Sequence, residues 1–176
     1  MIEFAVKNRL VLIADEVYRE NIYNEGKQFV SFRSVLETMS QEIRNTCELA
    51  SLNSTSKGLY GESGFRGGYL YTHNFNPEVI KQIIKLKSMN LCSNVPGQIM
   101  VDCLANPPIG EDVSIQTKEK YLSERQALLD SFKRRAKAVT KFLNEMDNIK
   151  AKEIEGALFS FPQIRFSKKA MEAAEK

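Results

Sequence analysis

An α/β fold is predicted for this chain, and three observations predict it. Leu10-Val11-Leu12-Ile13-Ala14 is a short, continuous apolar run that includes β-branched residues. Such a run fits a strand of a parallel sheet, buried on both faces under helices. Two further strand candidates flank a stretch from Gly58 to Gly68 that holds five of the nine glycines. Segments of helical period with clear start signals fill much of the rest.

Ile2, Phe4, Ala5 and Val6, followed by Lys7 and Arg9, read as the end of a helix. The apolar run after them ends at Asp15-Glu16, where an open α/β sheet places its ligands. Phe29 to Ile43 reads as one helix, with Phe29, Phe32, Leu36 and Met39 on one face. Glu48 to Leu52 is a strand candidate, and so is Gly68-Tyr69-Leu70-Tyr71-Thr72. With no helix between them, these two should form a hairpin-like pair.

Asn76-Pro77-Glu78 combines an N-cap, a first-turn proline and a first-turn acid, so a helix should run from there to about Lys87. Another is expected after Pro96, from Gln98 to Leu104, with a break at Asn106-Pro107-Pro108-Ile109-Gly110. A long helix spans about Thr117 to Met146; Tyr121, Leu128, Leu129, Phe132, Val139, Phe142 and Leu143 make much of its apolar face. Gly156 to Phe161 is a last strand candidate, and Lys168 to Lys176 is charged and helix-like.

Composition excludes several function classes. The 176 residues are 43% hydrophobic and 27% charged, as in a globular protein. No apolar run approaches a membrane span, so no membrane partner is expected. The first residues show no basic-then-apolar leader, so an intracellular, cytoplasmic protein is expected, with an organelle left open. A net charge of +3 gives no reason to expect nucleic acid. Lys133, Arg134, Arg135, Lys137 and Lys141 read as a solvated helix face. Cys47, Cys92 and Cys103 lack metal-ligand spacing and read as free thiols, so no metal is expected. His73, the sole histidine, reads as exposed or locally satisfied.

The chemistry concentrates in Ser54-Thr55-Ser56-Lys57-Gly58-Leu59-Tyr60-Gly61-Glu62-Ser63-Gly64-Phe65-Arg66-Gly67-Gly68-Tyr69. A lysine amine can condense with an aldehyde to a Schiff base. Hydroxyls and a planar guanidinium can hold a phosphate. Glycines let backbone approach an anion closely. From the residues alone, an ordinary surface loop is the commoner meaning of such a stretch. The pattern is not a nucleotide loop, because the lysine precedes the glycines.

This segment resembles the cofactor-lysine motif of fold-type I, class I/II aminotransferases that use pyridoxal 5'-phosphate (PLP). The nine-residue spacing from Lys57 to Arg66 is most similar to the alanine aminotransferase branch. Ala14-Asp15-Glu16-Val17-Tyr18 resembles a second motif of that family. Leu91 to Gln98, Val101 to Pro108 and Gly156 to Pro162 also look like the alanine branch.

The resemblance implies a catalytic Lys57 carrying the Schiff base, with Ser54, Ser56 and Arg66 on the phosphate. It implies Asp15 against the pyridine nitrogen and Tyr18 against the phenolate oxygen. The implied reaction is alanine:2-oxoglutarate transamination, with amino-acid and 2-oxo-acid substrates. The implied complete enzyme is a homodimer, and Asn94 to Gly97 could reach the neighbouring site. The implied fold is a three-layer αβα large domain, present in part and continuing into the start of an α+β small domain. Residues 1–116 would belong to the large domain, 117–147 to a bridging helix and 148–176 to the small domain.

Two alternatives stand beside this reading. One is another class I/II aminotransferase or a PLP lyase; the other is a PLP-binding regulatory module without catalysis. The resemblance also implies elements beyond this stretch: an upstream phosphate loop, a ring-stacking aromatic and an asparagine, and a downstream arginine for the substrate carboxylate. The isolated chain is therefore expected to be weakly stable, to self-associate or to be one part of a longer polypeptide, with very weak catalysis.

Overall fold

The computed structural model of the chain describes residues 1–174. It divides into two compact units, Met1–Glu20 with Gln28–Lys118, and Asn21–Lys27 with Glu119–Lys176.

The first unit opens with α1 (Ile2–Lys7) and β1 (Leu12–Asp15). Two short helices follow, α2 (Phe32–Glu37) and α3 (Gln41–Thr46), where one was expected. Serine divides them: Ser31 Oγ accepts from Ser34 N at 3.0 Å to cap α2, and Ser40 Oγ accepts from Ile43 N at 3.4 Å to start α3. Each cap satisfies a backbone donor that would otherwise be unpaired, which favours a new start over a continuous helix. Strands β2 (Leu49–Ser54) and β3 (Gly68–His73) come next, then α4 (Pro77–Ser88) and α5 (Val95–Ala105).

The sheet order is β1-β2-β3. β1 pairs in parallel with β2, from Leu12 opposite Leu49 to Asp15 opposite Leu52. β2 pairs antiparallel with β3, from Leu49 opposite His73 to Ser54 opposite Gly68, which is the hairpin-like pair the sequence predicted.

One sheet face carries the core. Ala14 and Leu49 pack with Ile2, Leu36 and Cys47, and Val6, Phe32, Met39 and Ile43 close around them. The other face is covered at Ala50, opposite Ile13, but is otherwise largely open. Ile13 is 64% exposed, and Leu52 and Leu70 are exposed as well. β1 is therefore an edge strand covered on one face, not the doubly buried strand its apolar run suggested. Among the described residues, nothing buries Ile13 itself.

α4 and α5 share one start chemistry. Asn76 Oδ1 accepts from Glu78 N at 2.9 Å, and Asn94 Oδ1 accepts from Gly97 N at 2.7 Å, each with a proline in the first turn. α5 thus begins at Val95, three residues before the expected Gln98, because Pro96 fits a first turn that needs no N–H there.

Within the second unit, α6 (Ile115–Asn144) continues from the first. Its apolar face is only partly covered: Ala136 is buried, whereas Leu128, Val139 and Phe142 are exposed. Lys133 bonds Glu25, and with Lys137 it holds the Glu25 carboxyl below the ordinary carboxylate range. Tyr23 Oη donates to Ala157 O at 2.6 Å. The strand expected over Gly156 to Phe161 is not formed. Gly156 makes a single bridge to Ile22, and the short hairpin is β4 (Ile149–Lys150) with β5 (Gln163–Ile164). Asn148 and Ala157 take left-handed φ values of 64° and 58°, which interrupts extended backbone. α7 spans Lys168–Ala174.

His73 Nε2 pairs with Arg44 O at 2.8 Å, so it is locally satisfied. All three cysteines are free; Cys47 is buried and the other two exposed. Burial, then the charge of Glu48, pushes the Cys47 thiol above its usual range. The folded pKa is the higher one, so this group's contribution to stability is full below the unfolded thiol pKa. It is lost as pH rises through the folded value. At about pH 8, a maleimide should label Cys92 and Cys103 and spare Cys47. Peptide mass mapping that finds Cys47 labelled as fast as in denatured chain would contradict this packing.

Candidate active site

The two sequence motifs leave the sheet from the C-terminal ends of β1 and β2, adjacent parallel strands. Glu16 N donates to Leu52 O at 3.0 Å, which carries the pairing one residue past β1. Strand alternation puts Asp15 on the open face with Ile13, and Ser54 on that same face two residues past Leu52. Asp15 is exposed, and its carboxylate makes no hydrogen bond or ion pair among the described residues. Glu16 has a structural task instead: its Oε1 accepts from Phe32 N at 2.8 Å, at the start of α2. The two neighbouring acids are thereby told apart.

The Ser54–Lys57 turn is held by its own polar groups. Asn53 Oδ1 accepts from Ser54 N at 2.8 Å, and Ser54 Oγ accepts from Ser56 N at 3.0 Å. Gly67 O receives three donors: Thr55 N at 3.1 Å, Thr55 Oγ1 at 3.1 Å and Ser54 Oγ at 3.2 Å. Arg66 Nη1 then donates to Ser56 Oγ at 3.3 Å and to Ser63 O at 3.2 Å. Ser54, Ser56 and Arg66 form one hydrogen-bonded cluster, with Lys57 next in sequence. Lys57 is exposed, and its amine has no partner among the described residues.

The glycines here serve the protein backbone. Gly58 takes φ +88°, and a Cβ there would lie 3.3 Å from Val17 O, so the lysine turn sits against the first motif. A Cβ at Gly68 would come within 2.7 Å of Asn53 O, and one at Gly67 within 2.5 Å of Gly97 O. For Gly67 and Gly68 the close approach is between two stretches of protein chain, a use the sequence reading did not foresee. Arg66 itself is left-handed, with φ 55° and ψ 39°, a conformation that costs an arginine about 1–2 kcal/mol. Backbone strain of this kind persists where surroundings over-determine it, and it clusters at functional sites.

A cavity of about 370 Å³ opens beside the turn, lined among others by Val17, Asn53, Ser54, Lys57, Tyr69 and Leu104. That volume is in the range of small-molecule sites. Asp15, Tyr18, Ser56 and Arg66 are not among its lining residues. Tyr18 is half-buried one residue beyond Val17. Thr55 escaped the sequence reading. It is 2% exposed and donates twice to Gly67 O, and its place inside a run of hydroxyl residues was the available signal.

The family model for aminotransferase class I and II matches residues 1–176. The chain belongs to the aminotransferase class I and II family. Enzymes of this family use pyridoxal phosphate. Among curated relatives of this aminotransferase chain, alanine aminotransferase 2 of Xenopus laevis is 42% identical over 175 residues, covering 99% of this chain and 32% of that protein. Human alanine aminotransferase 1 is 41% identical over 176 residues, covering 100% and 35%. The chain thus spans about a third of the length of the curated relatives it matches.

Its mixed α/β fold is that of the fold-type I aminotransferases. The alanine aminotransferase of Pyrococcus furiosus superposes with a TM-score of 0.70 at 24% identity, over 94% of this chain and 37% of the other. The α-aminoadipate aminotransferase of Thermus thermophilus, solved with N-(5'-phosphopyridoxyl)-L-leucine, gives 0.65 at 18% identity, over 93% and 37%.

The donor set fits such a cofactor. The Lys57 amine, unengaged among the described residues, follows a turn in which the guanidinium meets the Ser56 hydroxyl and the Ser54 hydroxyl meets Ser56 N, and a carboxylate likewise unengaged among them ends the neighbouring strand.

Proposed function

We propose that this chain supplies the lysine half of the active site of a PLP-dependent aminotransferase acting on alanine and 2-oxoglutarate. One observation carries the reading: Ser56 links Ser54 and Arg66, its N–H donating to Ser54 Oγ and its Oγ accepting from Arg66, beside an exposed Lys57. The alanine branch is supported by the curated relatives, whose names are alanine aminotransferases. In fold terms, residues 1–116 are read as part of the three-layer large domain, 117–147 as a bridging helix and 148–176 as the start of the small domain.

In this reading Arg66, Ser54 and Ser56 hold the phosphate, the guanidinium gripping two oxygens in a planar fork. Lys57 Nζ would hold the cofactor covalently and, once released, would carry the proton from the substrate carbon to the carbonyl carbon of the cofactor. Asp15 would accept a hydrogen bond from the pyridine N–H and so keep that nitrogen protonated. The Tyr18 hydroxyl would donate a hydrogen bond to the ring's phenolate oxygen. The bound cofactor supplies an electron sink. The complete enzyme is read as a cytoplasmic homodimer.

The direct test compares amino donors on the complete polypeptide. Alanine with 2-oxoglutarate should give the highest kcat/KM among alanine, kynurenine and aromatic donors. A better kynurenine or aromatic donor would move the protein to another branch, and steep salt-dependent duplex DNA binding with no transamination would make it a regulatory module. The 176-residue chain alone should turn over near background, because substrate orientation contributes a large share of such a rate. Normal turnover by that chain would contradict the account.

A further inference from the structure

The contact between α5 and the arginine loop has no place in the roles above. Asn94 caps α5, its Oδ1 accepting from Gly97 N at 2.7 Å. That contact fixes which end of the amide is which, so Nδ2 faces the carbonyl of Arg66 at 3.4 Å. Beside it the two chains touch through backbone. A Cβ at Gly67 would come within 2.5 Å of Gly97 O, and one at Gly97 within 2.8 Å of Phe65 O.

Arg66 lies inside this contact with left-handed φ and ψ, a region that disfavours residues with a Cβ. On one side the carbonyl of the next residue, Gly67, is fixed by Ser54 and Thr55. On the other its own carbonyl faces Asn94. The backbone torsions of Arg66 decide where its guanidinium begins, and the guanidinium already meets Ser56.

We infer that Asn94 is a positioning residue for phosphate recognition, holding Arg66 through the Arg66 carbonyl while capping α5 against Gly67. This rests on the reading of Arg66 as a phosphate residue. A cap needs only an acceptor, as Ser31 and Ser40 demonstrate in this chain. The amide adds a donor, and that donor is the part tied to Arg66.

The test measures binding of PLP and of pyridoxal, which lacks the phosphate, to the complete polypeptide and its variants. The readout is the ratio of the two affinities. Wild type should prefer PLP, and Arg66→Ala should lose most of that preference. Asn94→Ser and Asn94→Asp both retain a capping oxygen and should melt near wild type. Serine is too short to reach the Arg66 carbonyl, and aspartate offers it no donor. Each should lose about threefold to tenfold of the preference, the worth of one hydrogen bond, with pyridoxal affinity unchanged. An Asn94 that only builds structure would lower both affinities together. Unchanged preference in both Asn94 variants, with Arg66→Ala behaving as expected, overturns the inference alone. A wild type without preference, or an Arg66→Ala equal to it, removes the phosphate reading and the inference with it.

Discussion

Lys57→Ala should leave the chain folded and unable to develop the visible absorbance of lysine-bound PLP. Lys57 is exposed and its amine has no partner among the described residues. Surface changes of that kind usually alter stability by less than about 0.5 kcal/mol. The turn around it does not depend on the lysine side chain, because Ser54, Thr55 and Ser56 hold it through Gly67 O and through one another. A matched pair of melting curves and a PLP titration read the two halves of this prediction. A variant that melts with wild type but shows no band supports the role. A band of full amplitude in the variant would mean that other lysines react as readily and that the turn confers nothing on Lys57.

Arg66→Ala should weaken PLP binding by about tenfold to a hundredfold while barely changing pyridoxal binding. Hydrogen bonds to charged groups contribute about 1.5–3 kcal/mol, and about 1.4 kcal/mol is a factor of ten. Arg66→Lys should recover only part of the loss, since an ammonium cannot present the planar fork. Arg66→Gly separates backbone from side chain. It relieves the left-handed strain and should stabilise the fold slightly, yet it should bind PLP as poorly as the alanine variant. Equal PLP affinity in wild type and Arg66→Ala would place the phosphate elsewhere.

Much of the site was legible because its parts lie close in sequence. Lys57, the serines and Arg66 sit in one stretch, and local turns with their own hydrogen bonds bring them together. The approach of Asp15 to that stretch needed the pairing of β1 with β2, which the apolar run and the strand candidate at Glu48 to Leu52 suggested in outline. What was not legible depends on distant backbone. No local pattern reveals that Gly67 exists to meet Gly97, thirty residues on, or that Asn94 faces the Arg66 carbonyl.

The places where the fold departs from the sequence pattern have equally local causes. Ser40 outbid the apolar period that joined α2 to α3, and the left-handed Ala157 broke a strand whose composition is strongly β. The open Ile13 face is a different matter. Apolarity in a sequence states that a surface needs cover and says nothing of which chain provides it.

Whether Lys57 holds the cofactor is decided most directly by one measurement. The complete polypeptide is mixed with PLP, reduced with borohydride and digested, and the modified lysine is located by mass spectrometry. The account predicts a stoichiometric label on Lys57, abolished by excess inorganic phosphate or by Arg66→Ala at limiting PLP. Label scattered over surface lysines in proportion to their exposure would contradict it.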